Sequence, residues 1–433
     1  METKLSRIAE IARIKPKESF TSLYHLLNEE MLLQCHRELN GHKAVGIDKV
    51  TKAEYEENLD ENIQDLVQRL RRQSYRPLPV RRTYIPKGDG KGQRPLGISA
   101  YEDKIVQMGL SKILQAVYEA DFLDCSYGFR PGRSAHDALR ALNRVIEKGK
   151  ISYVVDADIR GFFNNVDHGW LMKFIHLRIA DPNLRRLIVK FLKAGIMENG
   201  KVESTDLGTP QGSIASPILA NVYLHYALDL WFDVAVKKRC KGQAELVRYA
   251  DDYVCCFQYK EDAEMFYSAL ISRLAKFKLE VAEEKTNILM FGRFAAQHRE
   301  KKGIGKPETF DFLGFTHYCG TSRAGKFRVK RKTSKKKFRA KVQAVKTWLK
   351  ETRHEGLDVI METMRKKLVG HYRYYGITDN SKMLGRFRYE VSRLLFKWLN
   401  RRSQRQSFNY ESYNRFLGRH PLPEPRIYVN IYG

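Results

Sequence analysis

The chain has 433 residues, 43% hydrophobic and 30% charged, which is ample for a packed core and suits two or three domains. The N-terminus lacks an apolar signal segment, no stretch approaches the roughly 20 apolar residues of a membrane span, and the six scattered cysteines form no CxxC. These features argue against a secreted, membrane-spanning or zinc-ribbon protein and fit a reducing cytoplasm, while the net charge of +28 and pI near 9.7 point to a polyanionic partner.

Residues 1–75 read mainly as helices, with apolar residues at helical spacing in FTSLYHLLNEEMLLQCHREL (20–39), broken at Gly41 and Gly46. PLPVRRTYIPKGDGKGQRPLGI (77–98) is predicted to be a β-hairpin around a Gly-rich turn. Helical periodicity resumes over 101–122, and ISYVVDADIRGFF (151–163) reads as a strand leading into a turn. Amphipathic helices follow in HGWLMKFIHLRI (168–179) and LRRLIVKFLKAG (184–195), with another over 216–236. LVRYADDYVCCF (246–257) reads as two antiparallel strands with Ala250, Asp251 and Asp252 at the tip. A helix over 261–277 and short strands near 279–292 and 310–319 come next. Around 321–331 the composition turns basic, which suggests a domain boundary, and helices are expected to dominate to about residue 403. The proline-containing end, RHPLPEPRIYVNIYG, is expected to be extended and docked.

Residues 321–433 hold 29 lysines and arginines against 8 acidic residues, a net +21. Aromatics are interleaved in GHYRYYG (370–376) and GRFRYEVSRLLFKWLNRR (385–402). Cations for phosphates and rings for bases suit RNA, and so large an unneutralised charge would otherwise repel itself. The plainer alternative is a helical domain with a solvated basic face.

The acids carry the chemistry. A bare Asp-Asp pair is ordinary in a turn. A second acidic strand end changes that reading, because Asp156 and Asp158 lie two residues apart on one strand face. Two strands can bring such ends side by side, where the carboxylates would repel unless Mg²⁺ turned repulsion into coordination. Two such ions serve an in-line displacement at phosphorus.

These residues carry a resemblance. YADD (249–252) looks like the signature hairpin of reverse transcriptases, and VDADIRGFF (155–163) resembles the palm strand with the first catalytic acid. RRTYIPKGDGKGQRPLGI (81–98), SYGFRPGRSAHDAL (126–139), GTPQGSIASPILANVYL (208–224), EEKTNILMFG (283–292) and FDFLGF (310–315) resemble, in the same order, further blocks of bacterial group II intron-encoded reverse transcriptase/maturases. The resemblance runs from about residue 40 to the end. It implies an α+β right-hand polymerase fold, with fingers and palm built on antiparallel sheet, followed by an all-α basic thumb. The expected division is 1–150 for an N-terminal extension and fingers interleaved with the palm, 151–320 for the palm with its Asp cluster, and 321–433 for the thumb, or domain X, which binds RNA.

The resemblance also implies roles. Asp158 and Asp251 would hold two Mg²⁺ ions with help from the Ile159 carbonyl, and Asp252 would complete the catalytic cluster; Asp156 is read as structural. Phe163 falls where a bulky ring excludes a 2′-hydroxyl and so selects dNTPs, unless it is ordinary core packing. Lys87 and Arg94 would reach the triphosphate from the fingers, or form a solvated hairpin face. Gln211 would lie along the incoming nucleotide, with Pro210, Gly212 and Tyr249 near primer and template. Lys285 would protonate pyrophosphate or pair with Glu283 or Glu284. Lys330, Arg331, Lys332, Lys335, Lys336, Lys337 and Arg339 are the expected RNA contacts of the thumb. Two positions depart from the family pattern: Ser213 follows PQG where a glycine is frequent, and Lys49 in GIDKV replaces another glycine. No HNH-type motif with cysteine pairs is present up to Gly433, so the resemblance is to members without an endonuclease. The expected function is an RNA-directed DNA polymerase that copies intron RNA into cDNA. It would also bind that RNA for splicing and mobility, using an RNA template, a DNA primer and a DNA target, with no membrane. The alternatives are an RNA-binding splicing factor with incidental polymerase activity, or a reverse transcriptase turned to phage defence or DNA repair.

Overall fold

The computed structural model describes residues 2–86, 92–198, 200–204, 206–209, 212–402 and 407–432. In chain order its strands are β1 (Val80–Pro86), β2 (Gln93–Ile98), β3 (Tyr153–Ala157), β4 (Ile196–Glu198), β5 (Lys201–Glu203), β6 (Ala244–Tyr249), β7 (Asp252–Phe257), β8 (Asn287–Met290), β9 (Phe310–Phe312), β10 (Phe315–Thr321) and β11 (Phe327–Thr333). They form three sheets, ordered β2-β1-β4-β5, β6-β7-β3-β8 and β11-β10-β9. Helices pack on these sheets, so the protein is α+β, with a helical C-terminal region.

The second sheet separates two hydrophobic cores, because its side chains alternate between its faces. Val155 and Ala157 on β3 and Tyr253, Cys255 and Phe257 on β7 enter one core. Helices Tyr101–Tyr118, His168–His176, Pro182–Leu192, Ser216–Leu224 and Lys260–Lys276 share that core through residues such as Ile105, Leu171, Leu187, Ile218 and Phe266. Val154, Val254 and Cys256 enter the other, with the helix Ala135–Lys148 and the C-terminal helices Lys335–Thr352, Leu357–Tyr375 and Ser381–Leu399. A strand buried on both faces reads as an unbroken apolar run, which is why YVVDA and YVCCF look as they do. Cys255 and Cys256 are free thiols packed on opposite faces.

Two expectations need correcting. The basic step at 321 falls between β10 and β11, which pair from Phe315 opposite Thr333 to Thr321 opposite Phe327. The helices begin only at Lys335, where the Ser334 side chain caps the first turn. FRVKRKT is a strand because Val329, Arg331 and Thr333 alternate inward, and a charged residue at the central inward position hides the pattern. The second correction follows. Arg331 is fully buried, hydrogen-bonded to Asn143 with its guanidinium 5.8 Å from the Tyr432 ring. It is a core residue holding β11 to the C-terminal segment, not an RNA contact. The helix Ala135–Lys148, started by a Ser134–Asp137 capping box, and the short β4–β5 hairpin were not anticipated. The C-terminal stretch is extended and docked, as expected, with Ile377 bridged to Val429 and the Tyr432 hydroxyl donating to the Val329 carbonyl at 3.2 Å. Among the described residues no helix is long and apolar enough to cross a membrane.

Arg331→Ala is expected to lower stability by about 2–4 kcal/mol, because it leaves a void and an unpaired Asn143. It should not change the salt dependence of RNA binding. Thermal melting and binding titrations on the same variant check both halves.

Candidate active site

β6 and β7 are joined through Ala250 and Asp251, with Tyr249 opposite Asp252 in the register. Ala250 takes a φ of +56°, the left-handed geometry that two-residue hairpin turns favour. β3 lies next to β7, with Asp156 opposite Val254 and Ala157 opposite Tyr253. Asp156 and Asp252 therefore stand on one face of the sheet, and Asp158 follows Asp156 at the same end. The two acidic strand ends meet as the sequence suggested.

The electrostatics are those of crowded anions. Burial raises the Asp251 carboxyl above the usual carboxylate range and the charge of Asp158 adds to it, while Arg94 and Arg248 pull the other way. Water still reaches Asp252, yet protein atoms packed around its carboxyl and the charge of Asp156 push it up to about 7. Burial also takes Asp156 up to about 7, with Asp311 and Asp158 contributing. The Lys285 ammonium sits 2.9 Å from an Asp158 oxygen, and that hydrogen bond raises its pKa. Lys285 thus pairs with neither Glu283 nor Glu284; Glu284 is taken by Arg160 at 2.8 Å.

The donor set suits a hard divalent cation. It is made of carboxylates that repel one another. No described residue donates a hydrogen bond to the Ile159 carbonyl oxygen beside Asp158, although Ile159 bridges to Val281. Among the described residues no three His, Cys, Asp or Glu side chains come close enough to form a ready-made metal cage.

The surrounding positions fall as follows. Arg94, on β2 opposite Ile85, is exposed, and its charge is felt at Asp251. Phe163 is half-buried in the one-turn helix Phe162–Asn165, its ring 5.3 Å from that of Phe162. Gly212 has a φ of +108° and packs so close to Gly97 that a Cβ would lie 2.8 Å from its carbonyl oxygen, which seats the 208–216 block against β2. Tyr249 stands 6.3 Å from Phe129, ring to ring. Lys87, Pro210 and Gln211 lie outside the described residues. Lys332, Lys335, Lys336, Lys337 and Arg339 are exposed and Lys330 is half-buried. Lys332, Lys335 and Arg339 line a cavity of about 440 Å³ with Phe338 and Arg386. Lys337 faces a second cavity of about 690 Å³ that reaches from Asp252 and Leu313 to His371 and Tyr374.

The two departures have structural explanations. Ser213 turns its hydroxyl to Gln107 at 3.0 Å, where Gln107 also accepts from the Ile214 amide at 3.1 Å. Lys49 has a φ of +58°, the conformation for which a glycine is the usual choice.

Four residues that hold the site were missed. Arg248, one residue before Tyr249, is fully buried; its Nε donates to Asp229 at 2.7 Å and Nη1 to the Asn221 side chain at 3.0 Å and the Ala250 carbonyl at 2.9 Å. Asp229 is fully buried too, in a stretch where the helix widens to π geometry (His225–Asp229). The Asn221 amide donates to the Gly128 carbonyl at 2.7 Å. Gly128 lies so tightly under the turn that a Cβ would come within 2.4 Å of the Ala250 nitrogen. The available signal was a single arginine directly after the apolar pair Leu246–Val247, in a strand that packs into the core, which demands a buried acid elsewhere.

Gly128→Ala is therefore expected to displace the turn and, if the acids act in the polymerisation that the sequence suggests, to cut its rate by about a hundredfold, since a shift of about 1 Å at a reacting centre has that effect. Melting should change far less. Single-turnover extension beside a melting curve distinguishes displacement from unfolding.

Comparison with known proteins agrees with this geometry. The family model described as reverse transcriptase (RNA-dependent DNA polymerase) matches residues 85–317, more than half of the chain. The chain is 41% identical over 222 residues to the group II intron-encoded protein LtrA of Lactococcus lactis subsp. cremoris, covering 51% of this chain and 37% of that protein. It is 32% identical over 314 residues to protein YkfC of Escherichia coli (strain K12), covering 66% of this chain and 78% of that one. It is 41% identical over 68 residues to the nuclear intron maturase 2, mitochondrial, of Arabidopsis thaliana, covering 14% of this chain and 9% of that protein. The match thus spans little more than a third of the length of the Lactococcus protein. On the family match and the arrangement of its acids, the chain belongs to the reverse transcriptase (RNA-dependent DNA polymerase) family, with group II intron-encoded proteins among its relatives.

Proposed function

We propose that the protein is an RNA-directed DNA polymerase that copies group II intron RNA into cDNA and also binds that RNA to assist its splicing and mobility. The observation that carries the reading is the convergence of Asp158 with the Ala250–Asp251–Asp252 turn, with the charge of Arg94 at one side and Lys285 at the other. Asp158, Asp251 and Asp252, with the Ile159 carbonyl, would hold two Mg²⁺ ions, whose chemistry there would be to activate a primer 3′-hydroxyl and stabilise a leaving oxygen. Arg94 would bind the triphosphate through its fork of donors and orient it toward the acids. Lys285, already the ammonium resting on Asp158, would carry the proton for departing pyrophosphate. Phe163 would stand under the sugar and leave no room for a 2′-hydroxyl. Lys87, Gln211 and Pro210 would complete the nucleotide and template contacts. Lys332, Lys335, Lys336, Lys337 and Arg339 would take RNA phosphates along the C-terminal helices, with Phe338 among them as a ring for a base. The relation to a group II intron-encoded protein supports intron RNA as that partner.

Primer extension on an RNA template with Mg²⁺ and dNTPs tests the reading. Asp251→Asn should abolish extension while RNA affinity stays within about twofold, since its task is metal ligation and not RNA binding; normal extension by that variant would remove the assignment. Phe163→Ala should admit ribonucleotides, and an unchanged preference for dNTPs would return the ring to the core.

A further inference from the structure

A groove of about 590 Å³ opens between the segment leading into β1 and the helix Pro182–Leu192, lined by Arg76, Arg186, Lys190 and Lys193 with Gln73 and Ser74. Arg186 and Lys190 lie at i and i+4 of the helix Pro182–Leu192 and share one face, with Lys193 at its C-cap, while Leu187, Ile188 and Phe191 face the core. Arg76 joins them from the segment leading into β1. Neither 71–80 nor 182–197 contains an acidic residue. The nearby Asp181 is engaged, accepting backbone amides of Leu23, Tyr24, Asn183 and Leu184. Lys190 is tied to the carbonyls of Gln73 at 2.8 Å and Tyr75 at 2.7 Å. Burial, followed by the charges of Arg76 and Arg186, lowers its pKa, as expected where cations face one another without an anion. Among the described residues Arg76, Arg186 and Lys193 have no ionic partner.

Position and lining define what such a site can take. The groove sits where β1 begins, and β1 runs seven residues from Val80 to Pro86, about 20 Å at the usual rise, toward the end that faces the acids. An incoming nucleotide cannot reach both places. No aromatic residue lines the groove, so it offers phosphates a home and bases no stacking platform. A folded RNA, recognised by its backbone and shape, meets those conditions better than a single strand.

We propose that this groove binds the phosphodiester backbone of a folded RNA, separately from the primer–template duplex. The proposal rests on the RNA-binding reading above and adds a second, remote contact to it. The test is a triple variant, Arg76→Gln with Arg186→Gln and Lys193→Gln, which leaves Lys190 and its two carbonyls in place. Affinity for a folded group II intron RNA is measured across salt concentrations, beside affinity for an unstructured RNA oligomer and extension of a short RNA–DNA primer–template. The expected result is a salt slope for the folded RNA shallower by about two to three, because each lost phosphate contact removes roughly 0.9. Oligomer binding and extension should stay at the unmodified level. The charge-keeping variant Arg76→Lys with Arg186→Lys should retain the original slope, which separates lost charge from lost fold. An unchanged slope in the triple variant overturns the proposal. Equal losses on the oligomer or in extension would assign the groove to the template path and also overturn it. Failure of extension in the unmodified protein would count against the polymerase reading alone.

Discussion

A guanidinium with no access to water fixes the catalytic end of this molecule. Arg248 is held by Asp229 and Asn221, and it spends a remaining donor on the carbonyl of Ala250, inside the acidic turn. A buried ion pair contributes little net stability, but losing one partner of such a pair costs about 3–5 kcal/mol. The pair therefore acts as a constraint: few other arrangements of this region satisfy it. It joins the strand before the turn, the widened helix bearing Asp229 and, through Asn221, the Gly128 segment below. Three separate stretches of sequence thus fix where Asp251 and Asp252 stand.

The same logic explains why the acids can be crowded. Asp156, Asp158, Asp251 and Asp252 repel one another, and in a loosely held loop they would drift apart. Here the turn is braced by Arg248 from within, by Gly128 from beneath and by β3 alongside. Rigid supports keep that repulsion in place. Lys285 relieves part of it meanwhile, and its flexible stem lets it withdraw.

Much of this was legible in the sequence, and the limits are instructive. The hairpins at 77–98 and 246–257, the acidic strand end at 156–158 and the order of the blocks depend on local patterns, which sequence displays. What escaped reading depends on pairing between distant segments. FRVKRKT concealed a strand because its inward Arg331 is acceptable only where Asn143 and Tyr432 receive it. The roles of Arg248 and Asp229, 19 residues apart, are invisible until the helix between them widens. Ser213 stood out only as a departure from the family pattern, and its role as a donor to Gln107 becomes visible in the fold. A charged or polar residue in an apolar setting announces that a partner exists, but not where.

The sheet β9–β11 bears on how the C-terminal helices are held against the acid-bearing sheet. β10 and β11 carry the chain from the palm into the C-terminal helices without a loose linker, and Tyr374 ties its hydroxyl to the Leu313 carbonyl at 2.8 Å. The core beneath the catalytic sheet continues through Leu349, Leu368 and Leu395 of those helices. A clamp welded to its base in this way has no free pivot at that joint. The width of the gap between Asp252 and the helix bearing His371 is then set by the packing of the protein itself. Such a gap is a gauge cut by side-chain packing, its calibre fixed where the two elements share one core.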